Sequence, residues 1–181
     1  MLFRSWGLGT TSIFARALDS LGNWSNPVAA PVYLNVSPTV NTFAIAPSPA
    51  RPTGTLTLKA TSVTDGNPDG SIASVSFYRD VNNNGKFDAA IDTLISTDTD
   101  GSDGFTADYA ITDAPTGTMR FFAFATDDKG ATSAATLASV AVTKAPIVGS
   151  LTASTGLVSK GASLTLTAND VSDPEIGRAH V

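Results

Sequence analysis

The sequence predicts an all-β chain whose middle is one complete two-sheet sandwich of seven strands. Three observations predict it. Apolar residues alternate with period two over short segments, as in Leu56-Thr57-Leu58-Lys59-Ala60, and no long stretch carries a helical period. Clusters of Gly, Asp, Asn and Pro separate those segments. The chain also nearly repeats itself. Ile13-Phe14-Ala15-Arg16-Ala17-Leu18-Asp19 returns as Phe121-Phe122-Ala123-Phe124-Ala125-Thr126-Asp127, a shift of 108 residues. Pro38 maps to Pro146, Leu56-Thr57-Leu58 to Leu164-Thr165-Leu166, and Asp65 to Asp173 at the same shift. A constant shift without gaps marks tandem copies of one folding unit.

This divides the chain into parts. Residues 38–144 form the complete unit, and about 100 residues is the size of an immunoglobulin-type sandwich. Residues 6–37 correspond to the last strands of a preceding copy, and 145–175 to the first strands of a following one. An isolated hairpin is marginal in water, so both flanks are expected to fray or to dock non-natively. The ends read as foreign. Met1 to Ser5 can be encoded by GTG CTC TTC CGA TCT, and Ile176 to Val181 by ATC GGA AGA GCA CAC GTC. These strings share a reverse-complementary stretch and resemble a sequencing adapter. Residues 1–5 and 176–181 are therefore expected to be adapter-derived, together with His180, the only histidine.

Each strand of the complete unit has its own signal. Thr39 to Ala46 carries Val40 and Phe43 as apolar anchors. Pro47, Pro49 and Pro52 then suit a crossing at a sheet edge, because proline donates nothing to a ladder. Thr55 to Ala60 puts Leu56, Leu58 and Ala60 on one face. Ser71 to Asp80 points Val75 and Phe77 inward, with Ser74, Ser76 and Tyr78 outward. Ile91 to Thr97 and Gly104 to Ile111 read as a pair joined across Asp98 to Asp103. Thr118 to Thr126 sets Met119, Phe121, Ala123 and Ala125 on one face. Phe122 and Phe124 fall on the other face, and position 124, which aligns with Arg16, is expected to be exposed or interfacial. Asp127-Asp128-Lys129-Gly130 is a hairpin turn before Thr136 to Val142. Single prolines at the junctions Val36-Ser37-Pro38 and Lys144-Ala145-Pro146 stiffen the joints, giving a semi-rigid rod.

Composition narrows the chemistry. The formal charge of 181 residues is −5, and Lys and Arg do not cluster, which argues against a nucleic-acid surface. No apolar run reaches membrane-spanning length. Cysteine is absent, which removes disulfides, thiolate metal sites and a cysteine nucleophile. Without a native histidine, Ser-His-Asp and Cys-His arrangements are not available, and zinc would lack its usual ligands. Residue counting leaves an aspartate pair of the glycosidase kind open.

The strongest chemical motif is Asp80-Val81-Asn82-Asn83-Asn84-Gly85-Lys86-Phe87-Asp88, which fits D-x-N-x-N-G-x-x-D, the front half of a calcium loop. Alternate side chains at its first, third and fifth positions aim oxygens at one centre, and glycine makes the sharp turn. The metal candidates are the side chains of Asp80, Asn82, Asn84 and Asp88, the carbonyl of Lys86, and Asp92 as closing carboxylate. Ile91 stands at the twelfth position, so Asp92 closes one residue late. Binding would fall in the high-micromolar to millimolar range of extracellular modules. The competing reading is a solvated Asn/Gly hairpin loop. Asp98 with Asp100 and Asp103, Asp65 with Asp69, and Asp127 with Asp128 read as turns whose side chains bond their own backbone. A shared ion requires two such loops to converge. The sequons at Asn23 and Asn35 read as accidental, and Trp24 as a packing residue.

Ser74-Val75-Ser76-Phe77-Tyr78-Arg79-Asp80 leading into the Asn-rich loop, with the ending Ala123-Phe124-Ala125-Thr126-Asp127-Asp128-Lys129-Gly130, resembles the bacterial immunoglobulin-like repeats of very large secreted or surface proteins. These are related in architecture to cadherin-like and fibronectin-like modules. The resemblance implies an extracellular or cell-surface location, a non-catalytic spacing or adhesive role, and often calcium. Its usual D-A-x-D closure is lengthened here to Asp88-Ala89-Ala90-Ile91-Asp92. The expected partners are neighbouring repeats of the same chain and a surface protein or polysaccharide, with no nucleic acid and no membrane insertion. The alternative is an accessory sandwich module of a secreted hydrolase.

Overall fold

The strand pairing is set by alternating apolar residues that need two faces to meet. The structure, a computed structural model, describes residues 7–173. The assignments made for residues 1–5 and 176–181 lie outside the described residues. The strands are β1 (Gly9–Ala15), β2 (Val28–Leu34), β3 (Thr39–Ala46), β4 (Gly54–Thr64), β5 (Ile72–Arg79) and β6 (Thr93–Asp98). They continue as β7 (Phe105–Ile111), β8 (Gly117–Asp127), β9 (Thr136–Val142), β10 (Ile147–Ala153) and β11 (Leu166–Ser172). The protein is all-β. Its centre is a sandwich of a three-stranded sheet, β3-β4-β7, on a four-stranded sheet, β6-β5-β8-β9.

Period-two patterning decides which side chains enter the interior. Leu56, Leu58 and Ala60 of β4 face Val75 and Phe77 of β5 and Phe121, Ala123 and Ala125 of β8, all essentially solvent-free. Phe43 packs its ring 5.8 Å from Phe77, and Tyr109 sits 5.2 Å from Phe121. Burying each such phenylalanine contributes about 1.5–3 kcal/mol. After β3 the chain leaves the three-stranded sheet through Pro47 and Pro49. Ala50 then pairs in parallel with Val142, its N–H donating to the Ala141 carbonyl at 2.8 Å. The proline run therefore sits at a crossing between sheets.

One expected pairing does not form. β6 and β7 are not a hairpin: β6 pairs with β5, and β7 pairs with β4 in the opposite sheet. The turn from Asp98 to Asp103 is a corner between layers. Asp98 carries it, its carboxylate accepting the N–H of Asp100 at 2.9 Å and of Thr106 at 2.7 Å. Side-chain bonds thus stand where a hairpin would have ladder bonds.

The end hairpins copy parts of the sandwich. β1-β2 runs in the register Gly9↔Leu34 to Ala15↔Val28, and β8-β9 in the register Gly117↔Val142 to Ala123↔Thr136, each residue displaced by 108. The bridge Leu18↔Trp24 matches Thr126↔Thr132 at that shift. Likewise Ile147↔Ser172 of β10-β11 matches Thr39↔Thr64 of β3-β4, and Asp170 and Ser62 share a φ of 53°. The side chains do not share a fate. Val32, at the position of fully buried Val140, is 37% exposed, and Leu166, at that of Leu58, is 58% exposed. Both hairpins are paired, with their inner faces open to solvent.

Candidate functional site

The loop between β5 and β6, residues 80–92, contains all six metal candidates. It begins and ends on buried carboxylates, Asp80 at 0% and Asp92 at 7% exposure. Asp80 accepts the N–H of Asn84 at 3.2 Å and of Gly85 at 2.8 Å. Gly85 has φ of 74°, a left-handed turn that an L side chain would strain. Asn82 Oδ1 accepts the same Asn84 N–H at 3.2 Å, so the first and third positions meet over one donor. Asn84 Oδ1 accepts Lys86 N–H at 2.7 Å.

Asp92 closes the loop in spite of its late position. One oxygen accepts Val81 N–H at 3.1 Å, and the other accepts Asp88 N–H at 2.8 Å. The extra residue is absorbed in a tight turn, where the Asp88 carbonyl accepts from both Ile91 and Asp92. Asp88 and Lys86 themselves are exposed. The loop therefore draws Asp80, Asn82 and Asn84 together and ties Asp88 to Asp92.

Aromatic packing fixes the loop on the sheet. Phe87 lies with its ring 5.0 Å from Tyr78, 4.5 Å from Phe124 and 5.7 Å from Phe122, all edge-on. This explains Phe122, which is 2% exposed although alternation points it away from the core. Phe87, an apolar residue inside an Asn-rich loop, was the readable signal for this contact. Arginines tie the rest. Arg79 donates to the carbonyls of Asp80 and Arg120, and Arg120 donates to the Asn83 carbonyl at 2.8 Å. Asn83 has φ of 56° and gives its Nδ2 hydrogen to the Thr118 carbonyl at 2.8 Å.

Hard oxygen donors, amides among them, suit calcium rather than a softer metal. Among the described residues, no three or more His, Cys, Asp or Glu side chains gather as a metal cluster. A cation here would take Asn82, Asn84, the Lys86 carbonyl and Asp88 beside Asp80 and Asp92. No side-chain cation among the described residues is paired with Asp80 or Asp92.

The remaining acidic turns bond their own backbone. Asp100 accepts Ser102 N–H at 3.0 Å, and this bond, with one from the Ser102 side chain, holds its carboxyl below the usual range. Asp65 accepts Asn67 N–H at 2.9 Å, and Asp127 accepts the N–H of Lys129 at 2.9 Å and of Ala131 at 2.8 Å. The Asp65–Asp69 and Asp127–Asp128 turns do converge at one end of the sandwich. Asp128 N–H donates to the Ser71 carbonyl at 2.9 Å. At the opposite end a cleft of about 550 Å³ is lined by Arg79, Tyr109, Asp113 and Thr118, with no second carboxylate beside Asp113 among its lining residues. Trp24 is 57% exposed and lies under the Arg16 guanidinium at 5.3 Å.

No protein-family model matches the chain. No curated protein matches it. Among solved structures it is similar to the fibronectin(III)-like modules of Clostridium thermocellum CbhA. The likeness has 26% sequence identity and a TM-score of 0.39, over 75% of this chain. The chain spans 62% of the length of that structure. The sandwich assignment rests on the strand pairing described above.

Proposed function

We propose that the chain is a segment of a tandem array of immunoglobulin-like sandwiches in an extracellular or cell-surface protein, acting as a non-catalytic spacer or adhesive stalk. The observation that carries this reading is the shared shift: two end hairpins repeat the register of β8-β9 and β3-β4 at 108 residues. Strand bounds, an isolated bridge and a turn aspartate all recur at that one shift, which supports a repeated unit. Asp19 accepts the N–H of Leu21 and Asn23 at 2.9 and 2.8 Å, as Asp127 does for Lys129 and Ala131.

The reading includes a weak calcium site in the loop 80–92, formed by Asp80, Asn82, Asn84, the Lys86 carbonyl, Asp88 and Asp92. The support is chemical: two buried carboxylates closing a loop of oxygen donors. Backbone N–H groups already engage these carboxylates, so an ion adds order and modest stability rather than deciding the fold.

The test is solution scattering on chains of one, two and three copies of residues 38–145 in series. A stalk lengthens by a constant increment of about 35–40 Å per copy, the span of an 11-residue strand. A maximum dimension that fails to grow in proportion excludes the spacer. Retention of the single copy on an insoluble polysaccharide would instead favour the accessory-module reading.

A further inference from the structure

The converging turns at one end of the sandwich receive the strand that enters it. Asn67 sits between Asp65 and Asp69, is 4% exposed, and has its own N–H held by Asp65. Its Oδ1 accepts the N–H of Val36 at 2.8 Å, and its Nδ2 donates to the carbonyl of Leu34 at 2.7 Å. One side-chain amide thus pairs with the backbone on both sides of Asn35, as a ladder rung would. Two further bonds come from side chains of the incoming segment. Asn35 Nδ2 donates to Asp127 at 2.8 Å, and the Tyr33 hydroxyl donates to Asp69 at 3.0 Å. Asp127 is 2% exposed and aimed by its turn, with Oδ1 held by Lys129 and Ala131 and Oδ2 left for Asn35. The fit is close: a methyl added at Gly9, across the ladder from Leu34, would stand 3.0 Å from the Asp69 carboxylate.

Four side-chain bonds to one short segment, three of them made by the nearly solvent-free Asn67 and Asp127, exceed what a flexible tether needs. We propose that this end of the sandwich is a docking surface for the last strand of the preceding repeat, with Asn67 as the lock that makes the joint rigid. The inference rests on the tandem-array reading and adds what holds neighbours in line. The proline junction supplies local stiffness, and the hydrogen bonds supply the fixed angle. The surface reads two things. Asn67 reads backbone and accepts any strand, whereas Asp69 and Asp127 select a hydroxyl and an amide two residues apart. Ala141 and Thr143 stand at the positions of Tyr33 and Asn35 in the central unit. Its own last strand therefore cannot offer the same pair, and joints along the array differ in their side-chain locks.

The absence of cysteine allows clean paired spin labelling. Labels at exposed Ser12 and Ser139, replaced by cysteine, span the joint. Pulsed dipolar spectroscopy on the whole chain is expected to give one narrow distance distribution. Asn67→Ala should at least double its width, and Asn67→Asp, which sets a carboxylate oxygen against the Leu34 carbonyl, should broaden it at least as much. Tyr33→Phe with Asn35→Ala, both outside the sandwich, should also broaden it while the main thermal transition stays in place. A broad distribution in the parent chain overturns the proposal, as does a width unchanged in these variants. The second result would leave the scattering test of the array untouched.

Discussion

The rings of Phe87 and Phe124 meet at 4.5 Å and 63°, joining an Asn-rich loop to the outer face of a sheet. That contact makes the outer face a second small core beside the main one. Phe87→Ala removes it and uncovers Phe122. Aromatic pairs add about 0.5–1.5 kcal/mol beyond burial, so the expected loss for this half-buried ring is about 2–3 kcal/mol. Urea unfolding measures it. Faster amide exchange at residues 81–91 should accompany the loss, with β4 and β7 unaffected.

The main core should be less forgiving. Phe77 is fully buried between the sheets, with Phe43 against it. Phe77→Ala leaves a cavity that neighbouring strands cannot close, at about 3–5 kcal/mol. The expected outcome by circular dichroism is a sandwich unfolded or nearly so at 37 °C.

Calcium should raise the melting temperature. At tenfold above its dissociation constant an ion adds ~1.4 kcal/mol, which for a sandwich of this size is roughly 5–10 °C. Asp80→Ala with Asp88→Ala should abolish the shift, and magnesium should not reproduce it. A melting temperature in EDTA equal to that in millimolar calcium would leave the loop as a turn and nothing more.

Acid should loosen the turns. Asp127 is held below the ordinary carboxylate value of 3.8: burial acts to raise it, and bonds from Asn35, Ala131 and Lys129 outweigh that. Asp19 is lowered chiefly by Asn23, and Asp128 chiefly by Lys129. A carboxyl lowered in the folded state stabilises above its unfolded value and loses that contribution as pH falls through the folded one. The melting temperature should thus stay level from neutral pH to about 5 and drop below about 4. Asp127→Asn should flatten part of that drop, which a pH series of thermal melts would show.

Local features were legible in the residues alone. Thr39 to Ala46 and Thr136 to Val142 carry their strand bounds in apolar alternation, since neighbouring side chains in a strand must point to opposite faces. The turn aspartates were legible too, because a short carboxylate reaches the N–H two residues on without help from the rest of the fold. The shift of 108 is a property of the string itself. Tertiary structure alone decided that β6 and β7 part to different sheets, that Phe87 covers Phe122, and that Asn67 meets Leu34 and Val36. Alternation tells a side chain whether to face in or out, and says nothing of which distant strand lies alongside. That choice is made when two layers close over a common interior and bring residues far apart in the chain within reach of one another.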